Sequence, residues 1–431
     1  MKRDAEAGEE MKIWYTLYGR LLDVRVMEKA FKKVKAAKGA PGVDGQSIKD
    51  FNGELLENLT DLVKELKEKS YRPYPVKRVE IPKANGGVRK LGIPAVRDRV
   101  VQQALLDILT PIFDPQFHPS SYGYRPGKGC HHAITKASAF MRRYELEWVV
   151  DMDLSKCFDT LKHDFLMRQI RRRVTDGSIL KLINLFLKSG VMVGNEFEKT
   201  DEGSPQGGVI SPLLANIYLD YFDQWSMERG YRIVRYADDI LIFASSRKGA
   251  ERRLEAAAKV LEEEMGLEIN REKTSITSLK EGVKYLGVEI YPQYTLIQEK
   301  KVRAFKAKVK AATRRNIPVN LAKVIKDLNP LIRGFANYFR VANCTGVFKT
   351  LMSWIRRRLR AIQLKQWKKP AKLHRKLRQL GYKGYFKKIK MNSWRNAGSP
   401  LAHMAMPNVS FTEMGLFDMV LVKTGHSVPV T

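Results

Sequence analysis

Two adjacent aspartates, Asp238 and Asp239, interrupt the apolar, β-prone run RYADDILIF at 235–243. Buried without partners, such carboxylates cost several kcal/mol, so a turn, a salt bridge or a bound cation must relieve them. Apolar runs flank a short break in YRIVRYADDILIF, which suits a hairpin with Ala237–Asp239 at or near its tip. A turn leaves the pair accessible to solvent, and taken alone an Asp-Asp turn is commonplace. A second segment gives it more meaning. EWVVDMDLS (147–155) alternates so that Val149, Asp151 and Asp153 share one face of a strand and Val150, Met152 and Leu154 the other. A central antiparallel sheet would bring the end of that strand beside the hairpin tip and cluster three carboxylates.

Oxygen-only ligands suit Mg²⁺, which keeps several waters and is commonly held by one or two carboxylates plus substrate phosphates. Two such ions can activate a 3′-hydroxyl and stabilise a leaving pyrophosphate in an in-line displacement, the chemistry of a nucleic-acid polymerase. That chemistry needs no histidine, no nucleophilic serine or cysteine and no Walker-type loop. Asp153 and Asp238 are the first choices as ligands, with Asp239 in less direct contact.

The charge balance points to the same class of partner. The 431 residues carry a net +32, and residues 293–431 alone hold 30 basic against 4 acidic side chains, a net +26. A surplus of that size in a basic, aromatic-rich segment marks a polyanion partner, foremost nucleic acid. No run approaches the ~20 apolar residues of a membrane span. The N-terminus MKRDAEAGEE lacks the apolar core of a signal peptide, and the three cysteines (Cys130, Cys157, Cys344) form neither a zinc knuckle nor a disulfide framework. A cytoplasmic setting without membrane partners fits these features.

Residues 1–70 read as helical with a turn at KGAPGVDG (38–45), and NGG (85–87) as a hairpin between VKRVEIP and VRKLGIP. Helices are expected near 98–109, after Cys130, around 162–189 and at 248–265. Ser211 should cap a helix that has Pro212 at its first position. Beyond Pro292 the composition changes to basic amphipathic helices, taken as a domain boundary, and the tail at 391–431 has a strand-and-turn character. The fold class is α+β with a separate helical C-terminal portion.

The strings GVDG (42–45), VEIPK…GVRKLGIP (79–94), SYGYRPGKGCHHA (121–133), DMDLSKCFD (151–159), SPQGGVISPLLANIYLD (204–220), RYADDILIF (235–243), INREKT (269–274) and KYLG (284–287) occur in order. Together they resemble the successive blocks of the reverse transcriptases encoded by group II introns. LNPLIRGFANYFR (328–340) and WIRRRLRAIQLKQWKKP (354–370) likewise resemble that family's thumb, or maturase, domain.

The resemblance implies a right-hand polymerase. An N-terminal helical extension and the start of the fingers occupy 1–70, and fingers and palm 71–292. A helical thumb/maturase domain follows at 293–375, then a basic segment at 376–431 as a DNA-binding remnant. It also implies two Mg²⁺, with Mn²⁺ as a substitute, on Asp153, Asp238, Asp239 and the Leu154 carbonyl. Phe158 would sit beneath the sugar and exclude ribonucleotides. Lys83 and Arg89 on the hairpin arms would clamp the triphosphate, Gln206 would touch nucleotide or template, and Lys273 would stand near the leaving pyrophosphate. Tyr285, Leu286 and Gly287 would hold the primer end, and Arg333, Arg356, Arg357 and Arg358 would meet template–primer phosphates. The implied partners are group II intron RNA, an RNA template with a DNA primer, target DNA and dNTPs, and a dimer is compatible.

The family's endonuclease carries cysteine pairs and histidines, whereas no cysteine follows Cys344 and the later histidines are His374, His403 and His426, so that domain is expected to be absent. Intron mobility would then need a primer made elsewhere. The leading reading is an RNA-directed DNA polymerase that copies intron RNA during retrohoming and acts as its maturase. The alternatives are a maturase-only splicing cofactor and a reverse transcriptase diverted to defence or DNA repair.

Overall fold

The computed structural model describes residues 12–82, 87–194, 196–200, 202–203, 207–366, 369–379 and 400–425. The chain divides into two compact units, residues 1–140 with 144–277, and residues 141–143 with 278–431. The division falls before the composition change at Pro292, because the strands that precede the basic helices pack with those helices.

The first unit carries β1 (Val76–Pro82), β2 (Val88–Ile93), β3 (Trp148–Ser155), β4 (Val191–Val193), β5 (Glu196–Glu198), β6 (Arg232–Tyr236), β7 (Asp239–Ala244) and β8 (Glu268–Ile269). The expected alternation on β3 holds: Val150, Met152 and Leu154 are buried, whereas Asp151 and Asp153 are half-buried. Those three apolar side chains join Ile240 and Ile242 of β7 and Leu213, Ile217, Tyr218 and Phe222 of the helix Ser211–Glu228 in one core cluster. The central sheet has five strands: β6–β7–β3–β8 pair antiparallel in that order, and a further strand, Ser275–Ser278, also pairs with β3. One face closes on the core helices; on the other, Val149, Leu241 and Phe243 are buried too, and the acids stand at the end nearest the β6–β7 turn.

A second sheet, β2–β1–β4–β5, contains the expected hairpin, with Ile81 opposite Arg89 and Pro82 opposite Val88. Its base is tied to the helix Val96–Phe113 through Asp98. That fully buried carboxylate accepts hydrogen bonds from Tyr71 Oη at 2.6 Å and from the Tyr74 amide at 2.9 Å. Arg97 lies over the rings of Tyr71 and Tyr74 and bonds Glu65 at 2.6 Å. The helix after the PQGG loop begins at Ser211 itself, so Ser211 lies inside the first turn and does not cap it.

In the second unit, strands Val283–Tyr285, Val288–Ile290 and Thr295–Ile297 form an antiparallel meander. The helices Glu299–Ala312, Leu321–Phe339 and Thr345–Gln366 follow, with the rings of Phe305 and Phe335 stacked at 4.1 Å. The described part of the tail is helical (Pro400–Ala405, Asn408–Glu413), contrary to the strand-and-turn expectation. Burial decides this. Met406, Phe411 and Met419 are core residues, and the buried Arg360 bonds Met406 O and Asn408 Oδ1, both at 2.8 Å. The segment GYKGYFKKIK (381–390) lies outside the described residues. No described helix is long and apolar enough to cross a membrane.

Burial raises the Asp98 carboxyl from 3.8 to about 6, against the opposing pull of its hydrogen bonds and of Arg97. The folded chain thus holds this proton more tightly than the unfolded one. Folding therefore loses stability as pH rises from about 4 to about 6, by on the order of 3 kcal/mol. Relative to wild type, Asp98→Asn should gain in melting temperature across that window and show no further gain above pH 7. A pH-independent difference between the two would contradict the assignment.

Candidate active site

The β6–β7 hairpin turns at Ala237–Asp238, and its register sets Tyr236 opposite Asp239. On the other side of β7, Asp153 of β3 is also opposite Asp239. The three aspartates named from sequence are thus brought together by strand pairing alone. Ala237 adopts φ +58°, a left-handed conformation that costs an L-residue roughly 1–2 kcal/mol. The turn does not fully expose its acids, as the sequence reading supposed. Asp238 and Asp239 are both half-buried, and the loop 118–125 lies against the Arg235 and Ala237 backbone of the same hairpin.

The electrostatics follow from that partial burial. Desolvation, then repulsion from Asp238 and Asp153, pushes Asp239 up to about 6. Asp238 is raised by burial and by Asp153, with Arg89 and Lys273 pulling the other way. Asp151, one strand repeat before Asp153, joins the cluster and is driven to about 7 by burial, Asp239 and Asp153. Lys273 Nζ lies 2.8 Å from Asp153 Oδ2, and its own pKa is raised by that hydrogen bond. Lys273 is placed by the turn after β8, whose Asn270 amide donates to Asp153 O at 2.9 Å. Leu154 sits in the β3–β8 ladder opposite Ile269.

Among the described residues, no three His, Cys, Asp or Glu side chains already converge on one point as a finished ligand shell. The donor set nevertheless fits a divalent cation. Four carboxylates crowd half-buried positions, and among the described residues the ammonium bonded to one of them, Asp153, belongs to a largely exposed lysine. Asp153, Asp238 and Asp239 are the residues that could hold the ion.

Around this cluster, Phe158 stands on a 3₁₀ turn (Cys157–Asp159) entered through Lys156 at φ +49°, and it packs half-buried against the core. Arg89 is exposed on β2, within electrostatic reach of Asp238. Arg78 and Lys90 of the same hairpin act on Asp159. Lys83 and Gln206 lie outside the described residues. The chain on either side of Gln206 is closely held: His163 Nε2 is 2.6 Å from Gly203 O, and a Cβ on Gly207 would fall 2.2 Å from Gly92 O. Only glycine at φ +114° permits that approach.

In the second unit, Tyr285 ends a strand, and Leu286 (φ +44°) and Gly287 (φ +86°) form the two-residue turn that follows. Tyr338 Oη donates to Leu286 O at 2.9 Å. The arginines expected to meet nucleic acid divide. Arg356 bonds Asp418 at 2.6 Å, Arg358 bonds Thr313 Oγ1 at 2.6 Å, and Arg333 lies over the Phe417 ring. Arg357 points to solvent.

Sequence reasoning missed the frame behind the hairpin. Arg235 has no solvent exposure. It bonds Asp223 through Nε and Nη2, Asn216 Oδ1 at 3.0 Å and Ala237 O at 3.0 Å. The available signal was an arginine inside an apolar strand, with Asn216 and Asp223 seven residues apart on one helix face.

A helix-backed antiparallel sheet with acids at a hairpin turn and on the adjoining strand is the arrangement of a polymerase palm. Residues 81–290 match the family described as "Reverse transcriptase (RNA-dependent DNA polymerase)", and residues 302–381 match "Group II intron, maturase-specific domain". Protein YkfC of Escherichia coli K12 is 38% identical over 58% of this chain and 76% of its own length. The group II intron-encoded protein LtrA of Lactococcus lactis is 34% identical over 50% of this chain and 36% of its own. A putative COX1/OXI3 intron 2 protein of Saccharomyces cerevisiae is 29% identical over 62% and 38%. The chain belongs to the group II intron-encoded reverse transcriptase/maturase family. It spans little more than a third of the length of the latter two relatives.

Added Mg²⁺ at ten times its dissociation constant should stabilise the wild type by about 1.4 kcal/mol, read as a rise in melting temperature. At that same Mg²⁺ concentration the rise should be larger at pH 8 than at pH 5.5, where Asp239 is partly protonated, and absent in Asp153→Asn/Asp238→Asn. An equal rise in that double variant would place the ion elsewhere.

Proposed function

We propose that this chain copies group II intron RNA into cDNA during retrohoming and binds the same RNA as a maturase that promotes splicing. The observation that carries the reading is the set of coupled, half-buried carboxylates that strand pairing assembles at the β6–β7 turn. A protein that only bound RNA would have no use for so costly a cluster of negative charge.

In this reading Asp153 and Asp238 hold two Mg²⁺, with Mn²⁺ as a substitute, and Asp239 and the Leu154 carbonyl complete the environment. Bound there, the ions would favour attack of a primer 3′-hydroxyl on the α-phosphate of a dNTP by neutralising the charge that builds up. Arg89 and Lys83, with Arg78 and Lys90 on the same hairpin, would attract and orient the triphosphate. Phe158 would press against the sugar C2′ and exclude a 2′-hydroxyl, and Gln206 would meet nucleotide or template. Lys273, turned away from Asp153, could hand a proton to the departing pyrophosphate.

The turn at Tyr285–Gly287 would steady the primer end. The basic helices of the second unit, with Arg333 and Arg357 exposed on them, would grip template–primer, intron RNA and target DNA through phosphate contacts. Arg356 and Arg358 would serve that surface by holding its helices in place. The reading is compatible with a dimer and with work in the cytoplasm.

Primer extension on an RNA template with Mg²⁺ and dNTPs tests it. Wild type should extend, and Asp238→Ala should lose more than about a hundredfold in kcat, about 2.7 kcal/mol, while still binding structured intron RNA. Phe158→Ala should raise ribonucleotide use relative to dNTPs by roughly tenfold or more. Binding without extension by the wild type would leave a maturase alone.

A further inference from the structure

We propose that Arg235 and Asn216 are positioning residues for the metal-binding turn: Arg235 holds the Ala237 carbonyl, Asn216 holds that guanidinium nitrogen and the adjoining Gly123, and together they set where the Asp238 and Asp239 carboxylates stand. The inference rests on the polymerase reading above.

Charge balance alone would need only the Arg235–Asp223 pair, which is complete through Nε and Nη2 with both side chains fully buried. The remaining guanidinium nitrogen, Nη1, is directed elsewhere, to Asn216 Oδ1 and to Ala237 O, each at 3.0 Å. Asn216 in turn donates Nδ2 to Gly123 O at 2.9 Å. Gly123 lies so close to the turn that an added Cβ would stand 2.3 Å from the Ala237 amide nitrogen.

The loop that carries Gly123 is itself pinned. Tyr122 N donates to Arg235 O and Arg235 N to Ser120 O, both at 2.9 Å. Arg125 bonds Asp114 at 2.7 Å and the His118 and Ser121 carbonyls at 2.9 Å. Helix, loop and hairpin therefore meet around the Ala237 backbone: Arg235 Nη1 holds its carbonyl, Asn216 holds that Nη1 and Gly123 O, and Gly123 lies against the Ala237 amide.

Two physical points make this more than packing. Ala237 is held at φ +58°, a conformation that persists only where the surroundings over-determine it. Groups that orient metal-binding carboxylates from behind control affinity without touching the ion. Lysine can replace the charge of Arg235, but one ammonium cannot reach Asp223, Asn216 and Ala237 in the fork geometry of a guanidinium.

The test compares Arg235→Lys and Asn216→Ala with Phe222→Leu, a core variant of the same helix that lacks any tie to the turn. Each full-length protein is measured for melting temperature, for Mn²⁺ binding by electron paramagnetic resonance, and for kcat and dNTP KM in single-nucleotide extension. Arg235→Lys and Asn216→Ala should weaken Mn²⁺ binding and lower kcat, each by about tenfold or more per folded molecule, with dNTP KM within about threefold. Phe222→Leu should lose melting temperature alone. If the two frame variants behave like Phe222→Leu, the positioning role is wrong while the polymerase reading stands. If wild type neither extends a primer nor binds Mn²⁺, that reading fails and the frame falls with it. Should Arg235→Lys not fold, Asn216→Ala, which removes only the amide bridge, decides on the same readouts.

Discussion

Like charges held together out of full contact with water are the constraint around which the first unit is organised. Asp151, Asp153, Asp238 and Asp239 share one end of the central sheet, and burial plus mutual repulsion raises Asp151, Asp238 and Asp239. A fold tolerates such repulsion only where the backbone leaves the side chains no route apart. Here the β3–β7 register supplies that confinement from one side. The Arg235 frame supplies it from the other, at the carbonyl that precedes Asp238. The apolar face of the same sheet anchors both, since β3 and β7 each send alternate residues into the helical core.

The exposed Lys273–Asp153 pair has a different standing from the buried Arg235–Asp223 pair. The first joins side chains 63% and 28% exposed, so water competes for it and a stronger ligand can displace the ammonium. The second is sealed on all sides, and breaking it would strand a charge in the core. One is suited to exchange during a reaction cycle, the other to permanence. That contrast explains why one cation can belong to the chemistry and the other to the scaffold, although both are bonded to aspartates.

Much of this was legible in the chain because it rests on local periodicity. The two-residue alternation of WVVDMDLS and the apolar runs around YADD were enough to place Asp153 beside the hairpin, and the NGG hairpin and the PQGG helix follow from turn chemistry. What escaped depends on contacts distant in sequence. The partners of Arg235, the loop 118–125 against the Ala237 backbone, and the use of Arg356 and Arg358 to brace their own unit are all tertiary facts. The tail misled for a related reason: its weak local pattern becomes helical only because Met406 and Phe411 have a core to enter. The unit boundary lies earlier than the charge shift because surface charge reports partners, whereas strand pairing reports the fold.

The central claim is that the carboxylates gathered by strand pairing form a cation site for nucleotidyl transfer. Anomalous diffraction from crystals grown with Mn²⁺, template–primer and a non-reactive dNTP analogue tests it most directly. The account predicts Mn²⁺ peaks within about 2.0–2.3 Å of Asp153 and Asp238 oxygens, with Lys273 turned away from Asp153. An ordered nucleotide with no Mn²⁺ at these carboxylates and the Lys273–Asp153 pair intact would contradict it.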